Sequence, residues 1–452
     1  MRKTGFLDSD WKKERICLWG ITLLGLLMRL GYVLYTPIFM GQHDLLELGC
    51  GQGHLGYIEY FLEGGSIFHE FSPITRYQFY HPPLSHIISS IFVRCSLMLG
   101  TPYEKAFAQL QYLALFYSAV TLILFLRIFE ELGFRGRALV AAYLLTAFHP
   151  GLYLLAGSIN NDGPCLLFMT AAIWYTLRWY RKQSAGNLCF IAVFVLCGIW
   201  TKLNAFLITP AIGFVFLCVL IQKWKSPKER RRLLVQLFAF GIVTVPLGLS
   251  WSVYNYVKFD MPFDFTPAML TVGSTQDVSE YSAIRRLFGW KDGPLRQLAV
   301  QFSGDCKDYN IGITLLKTAV FGQYQLMSWG LEYKSLIVFT IVNGILSLLS
   351  LPAVCWLVIK KSKDYVEKWF LFMIYMVIVI FYIKFCFQYT KVCSMDFRYV
   401  ALTVLPAGAA FGWYSQEKGE TKAAKALFLG ILLWSILSIG CYLGLGLTPR
   451  AW

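Results

Sequence analysis

Four of the chain's six histidines, His43, His54, His69 and His81, fall before Pro82, beside Asp44, Glu47, Glu59, Glu63 and Glu70, in a protein only 15% charged. Carboxylates and imidazoles in one place can divide base and orienting roles in a proton transfer, or share a cation. Asp44 directly follows the first membrane-length apolar segment. An isolated carboxylate costs about 2.5–3.5 kcal/mol at the bilayer centre, less toward the interface, so this one is either a solvated loop acid or a functional group. Asp162, in Asn161-Asp162-Gly163-Pro164, opens a later apolar segment, where capping a helix would explain it equally well. Lys202 interrupts the apolar stretch from Leu188 to Val219, and snorkelling to the interface is its plain explanation. Arg398, in Asp396-Phe397-Arg398-Tyr399, either pairs locally with Asp396 or Asp44 or meets an anion. A phosphate held between Lys202 and Arg398 is the natural ligand for two such cations. His81-Pro82-Pro83 reads as a rigid turn into a helix. His54 reads as a ligand or a partner of Glu59. Tyr57, Tyr60, Tyr77, Phe79 and Tyr80 read as an aromatic wall for a sugar or lipid, or as an ordinary interfacial belt.

The elements that must position these residues are membrane helices. Of the residues, 57% are apolar, and uncharged runs of roughly 20 residues recur from end to end, the length a helix needs to cross hydrocarbon. A membrane β-barrel would instead show short alternating segments. The fold class is therefore all-α and polytopic. The net charge of +15 does not point to nucleic acid, because the basic residues sit in short connections between spans. Most of the twelve cysteines lie inside apolar runs with no CxxC pair and read as small fillers; Cys50, Cys306 and Cys393 are in loops, with no spacing that defines a disulfide. The basic start leads into a span too long for a cleaved signal and is expected to stay as an anchor.

About eleven spans are expected, at residues 16–39, 113–126, 139–157, 164–177, 188–200, 206–221, 233–253, 336–359, 369–387, 401–413 and 426–443. In that arrangement the N-terminus and the clusters at Arg178–Lys182, Lys223–Arg232, Lys360–Lys363 and Lys418–Lys425 share the cytoplasmic side. Residues 40–105 become a first extracytoplasmic loop containing two interfacial helices, a short amphipathic one ending at Gly64-Gly65 and one starting at Pro82-Pro83. Residues 254–334 become a large extracytoplasmic segment, too long for an ordinary connection and expected to hold short helices. The whole chain, 1–452, is one integral membrane domain. Asp44, His81, Asp162, Lys202 and Arg398 all fall on the outer side, so the constellation requires one shared cavity there.

In this order the motifs resemble the polytopic GT-C glycosyltransferases, in particular the family 39 type that includes protein O-mannosyltransferases and aminoarabinose transferases of lipid A. The likeness rests on Gln42-His43-Asp44 after the first span, Tyr80-His81-Pro82-Pro83-Leu84, Asn161-Asp162, Thr201-Lys202 and Phe397-Arg398-Tyr399, over roughly residues 16–413. The chain has His43-Asp44 where those proteins often show two adjacent acids. The resemblance implies a GT-C fold in a bacterial plasma membrane, with an extracytoplasmic active site. It implies a sugar donor carried on a polyprenyl phosphate, entering from the surrounding membrane lipids, and a glycan, lipid or protein acceptor. On this reading Asp44 and Asp162 are the catalytic residues, with Asp44 the base. His54, Tyr57, His81, Lys202 and Arg398 bind substrate, and Asp44, Asp162 and His54 are the candidate ligands should a divalent cation take part. A transporter or flippase of lipid-linked sugars would share the architecture without needing a base, but would gather its polar residues near the bilayer midplane. A structural subunit of an envelope-assembly complex is the third reading.

Overall fold

The computed structural model describes residues 4–39, 42, 44–263, 276–289, 308–322, 333–359 and 362–447. Among these there is no strand, only one isolated bridge between Asp277 and Lys391. In hydrocarbon every backbone N–H and C=O must be satisfied within its own segment, and the chain answers with helices. In order they are α1 (Thr4–Tyr35), α2 (Gly53–Leu62), α3 (Leu84–Met98), α4 (Tyr103–Ala108), α5 (Leu110–Glu131), α6 (Gly136–Ala147), α7 (Pro150–Leu154), α8 (Asp162–Arg181) and α9 (Ala185–Thr201). There follow α10 (Thr209–Gln222), α11 (Pro227–Phe259), α12 (Ala283–Phe288), α13 (Ile311–Phe321), α14 (Tyr333–Ile359), α15 (Tyr365–Gln388), α16 (Val404–Lys418) and α17 (Lys422–Leu447).

Each of the eleven apolar segments read from the sequence is helical, but fewer stand as independent spans. Seven helices are long and apolar enough to cross a membrane, and α6 with α7 makes an eighth if the bent pair counts as one. The chain is an integral membrane protein. The shortfall has local causes. α9 runs only 17 residues before Lys202, and the segment expected at 401–413 begins as a 3-10 turn, Phe397–Thr403, before α16 takes over. The 54° bend between α6 and α7 follows from Pro150, which holds His149 in an extended conformation and stops the helix. Arg29 of α1, buried in the bundle, donates to the Ala147 carbonyl at this break (2.9 Å), to Gly25 O (2.9 Å) and to Ser118 Oγ (3.0 Å), satisfying a helix-end acceptor far from water.

α8 lies against both α5 and α9, and α6 against α16. Phe125, Phe129, Tyr143, Trp179, Phe370 and Trp413 fill the shared core. The segment after α1 has a second, smaller core of Leu45, Leu55, Ile58, Val93, Phe107 and Ile159. Its two helices sit where the amphipathic patterns place them, α2 ending at Glu63-Gly64. In α3 the serine face is the inward one: Ser85, His86, Ser90 and Ser96 are buried while Ile91 and Met98 are exposed, as suits a helix with apolar surroundings. The large segment after Tyr254 is partly an extension of α11 and contains α12 and α13; residues 264–275, 290–307 and 323–332 of it, and with them Cys306, lie outside the described residues. Cys50 and Cys393 are free thiols.

Candidate active site

Asp44 occupies a turn with φ +60°. Its carbonyl accepts from His54 N (3.0 Å), while Gly53 N donates to Tyr77 O (3.0 Å), so one short strap positions Asp44 and Tyr77 together. Gly53 itself has φ +73°, and a Cβ there would meet Leu45 O at 2.6 Å, so the strap closes only on glycine. The Tyr77 hydroxyl then donates to Asp44 Oδ1 at 2.5 Å.

Asp162 opens α8, but its carboxylate does not cap the helix. Asn161 is the N-cap, and Asp162 Oδ1 accepts from Lys202 Nζ, at the end of α9. Lys202 therefore does not snorkel: it is 7% exposed, and its ammonium lies 5.0 Å from the centre of the Tyr399 ring. Arg398 completes the set. Its Nη2 lies 3.3 Å from Asp44 Oδ2 and its Nη1 3.5 Å from Asp162 Oδ2, and Nη2 also reaches the Tyr399 hydroxyl at 3.2 Å. Asp396, the local partner suggested by sequence, instead accepts the Arg398 backbone N–H (2.8 Å) and fixes the turn. Arg398 Nε is buried with no partner in the chain. Just before it, Phe397 stacks on His149 at 4.6 Å and crosses Gly151 so closely that a Cβ there would lie 2.3 Å from its ring.

This cluster forms one wall of a cavity of about 500 Å³. Asp44, His54, His81, Lys202 and Arg398 line it, and so do Phe206, Leu207, Leu249, Phe381 and Phe385, which give it an apolar side. Asp162 is held behind Lys202 and Arg398. Tyr57 does not reach the cavity; it is buried in the loop's own aromatic core, stacked on Phe79 at 4.1 Å, with its hydroxyl 3.0 Å from His69 Nε2. His54 is not paired with Glu59, which is occupied by Gly49 N (3.0 Å) and the Tyr103 hydroxyl (2.9 Å). Its Nδ1 shares a 2.9 Å hydrogen bond with His86 Nε2.

As a metal site, Asp44, Asp162 and His54 do not fit. Among the described residues no three His, Cys, Asp or Glu side chains converge to hold an ion, and both carboxylates already lie against cations. His43 lies outside the described residues.

Burial depresses the loop histidines. His54 is pulled down to about 4, burial and the nearby Lys202 and Arg398 outweighing Asp44 and Asp162; His69 also falls to about 4, again mainly through burial. His81 and His86 are likewise lowered well below 6.5. All four are neutral at pH 7. Because their folded values lie below the unfolded one, they contribute stability above about pH 6.5, and it is lost as pH falls toward 4. The melting temperature should therefore already decline between pH 6.5 and 5, before ordinary carboxylates protonate; a flat profile over that interval would contradict their burial.

Sequence reasoning missed Gln78, Asn161, Trp251 and Asn255, which also line the cavity, and gave Tyr77 no role of its own. Tyr77 and Gln78 were within the aromatic run; nothing in the apolar pattern of α11 distinguishes Asn255.

Fold and site together define a polytopic, all-helical membrane protein with paired carboxylates and cations at the wall of a partly apolar cavity. Within it, residues 102–264, which carry Asp162 and Lys202, match the family described as Dolichyl-phosphate-mannose-protein mannosyltransferase. The resemblance to GT-C glycosyltransferases is thus found in the sequence match as well as in the motifs. No curated protein matches the chain. Among solved structures it is similar to the archaeal oligosaccharyltransferase AglB of Archaeoglobus fulgidus in complex with an inhibitory peptide and a dolichol-phosphate (12% identity, TM-score 0.49, 95% of this chain and 55% of that one). It is similar also to ArnT from Cupriavidus metallidurans in the apo state (13% identity, TM-score 0.48, 94% of this chain and 75% of that one). The chain spans about half the length of the archaeal enzyme.

Proposed function

We propose that this protein is a membrane glycosyltransferase that takes a sugar from a polyprenyl-phosphate donor and passes it to an acceptor at the extracytoplasmic face. The observation that carries the reading is Arg398 bridging Asp44 and Asp162 beside Lys202, at the wall of a cavity whose other side is apolar. The match of residues 102–264 supports it. A lipid phosphate needs that combination, an apolar flank for its chain and cations for its head. As the bond between the anomeric carbon and phosphate oxygen breaks, its electron pair leaves on the phosphate, where Lys202 and Arg398 stabilise the developing charge. The acceptor's oxygen forms the new bond, and Asp44 takes its proton. A single base opposite an anionic leaving group gives inversion. Asp162 holds the two cations in place, and His81 and His54, both neutral, border the reacting groups.

The test is incubation of purified protein with polyprenyl phosphates carrying different sugars, with mass analysis of the lipid released. Free polyprenyl phosphate should accumulate only when an acceptor is present. Movement of intact donor across a bilayer without cleavage would instead identify a flippase.

A further inference from the structure

Four residues lining the cavity keep a buried polar atom with no partner in the chain: Gln78 Oε1, Asn161 Nδ2, Arg398 Nε and both ends of the Asn255 amide. Buried polar groups are normally paired, because leaving one unmade forfeits the hydrogen bonds water gave the unfolded chain. Asn161 and Arg398 belong to the charged cluster. Gln78 and Asn255 lie on another wall, where the Tyr77–His81 turn meets the end of α11, and the cluster's chemistry leaves them unexplained.

That wall is built firmly. Trp251 and Asn255 are one helical turn apart on α11, and the Trp251 indole N–H donates to Tyr80 O at 3.4 Å. Tyr254 and Lys258 donate to His69 O at 3.0 and 2.9 Å, tying the helix to the loop. Gln78 has φ +72°, a conformation costly to a side chain of its size and one that persists where surroundings impose it. Its side chain is hydrogen-bonded to Tyr77, which in turn holds Asp44. Asn255 is 2% and Gln78 3% exposed. The cavity's charged lining residues are Asp44, Lys202, Lys384 and Arg398, none of them on this wall.

We infer that Gln78 and Asn255, with the Trp251 ring beside them, form the subsite that reads the sugar of the donor, and that this sugar is a neutral pyranose. An amide presents donor and acceptor together, which suits neighbouring hydroxyls, and an aromatic ring suits the C–H face of the same sugar. A wall without formal charge offers no counter-ion to an amino sugar or a uronic acid. The inference rests on the transferase reading above and adds the residues that choose its substrate.

The test measures binding to full-length protein in lipid nanodiscs of polyprenyl phosphate alone, of the same lipid carrying mannose, and of the same lipid carrying 4-amino-4-deoxyarabinose. The wild type should bind the mannosyl lipid about tenfold more tightly than either other lipid. Asn255→Leu and Gln78→Met should each reduce that preference toward parity while changing the affinity for bare polyprenyl phosphate less than twofold. Asn255→Ser, which removes the amide with less demand on packing, provides the same readout if Asn255→Leu does not fold. Equal loss for all three lipids would make these residues structural and overturn the subsite, as would a wild type that binds all three alike or favours the amino sugar. A wild type that binds none of them would defeat the donor reading itself.

Discussion

Asp44→Asn should abolish transfer, lowering turnover by about 10²–10⁴-fold, while leaving the fold and the affinity for the lipid donor close to wild type. The substitution keeps the shape of the side chain and an oxygen that can accept from Tyr77 or Arg398, the two contacts now made at 2.5 and 3.3 Å. Asparagine also tolerates the left-handed backbone that Asp44 adopts at φ +60°. What it removes is the negative charge and with it the ability to take a proton. Turnover, donor binding and melting temperature measured on one purified preparation check all three parts. Normal turnover would remove Asp44 as the base.

The second large effect belongs to the cations. Lys202→Met should weaken donor binding by about tenfold or more, since a hydrogen bond to a charged group is worth about 1.5–3 kcal/mol, and Arg398→Ala should do the same if it contacts the phosphate. Lys202→Met should also cost stability, about 3–5 kcal/mol, because it strips Asp162 of one of two cationic partners in a place where water does not substitute for them. These two consequences can be separated. Adding Asp162→Asn to Lys202→Met removes the stranded charge, so the double variant should recover much of its melting temperature and none of its donor affinity. Recovery of both would assign Lys202 to structure alone, and an unchanged affinity in Arg398→Ala would place that residue in a structural ion pair.

Much of the architecture was legible because lipid imposes its rules on composition. Every apolar run became a helix, and Gly64 ended α2 where the pattern changed. What the pattern could not give was which helices were full spans, since that depends on breaks such as the one Pro150 imposes after Ala147 and on the 3-10 turn after Asp396. At the candidate site, Asp44, Asp162, Lys202 and Arg398 were visible as charges out of place in apolar surroundings. The structure brings them into one network. Tyr57 stood in the same aromatic run as Tyr77 and could not be told from it by spacing: one is packed into the loop's core and the other holds a carboxylate. Asn255 was invisible for a different reason. An amide on a membrane helix carries no periodic signature, and its significance lies in the partners it lacks.

The contact between Arg398 and Asp44 joins residues 354 positions apart. During synthesis Asp44 leaves the ribosome near the beginning and its guanidinium partner near the end, so the early chain must carry an unneutralised acid until nearly everything else has been made. Closing so long a loop carries an entropic penalty that only the assembled bundle can offset. The constellation is therefore a property of the finished chain, and a truncated fragment, however well inserted, would not possess it.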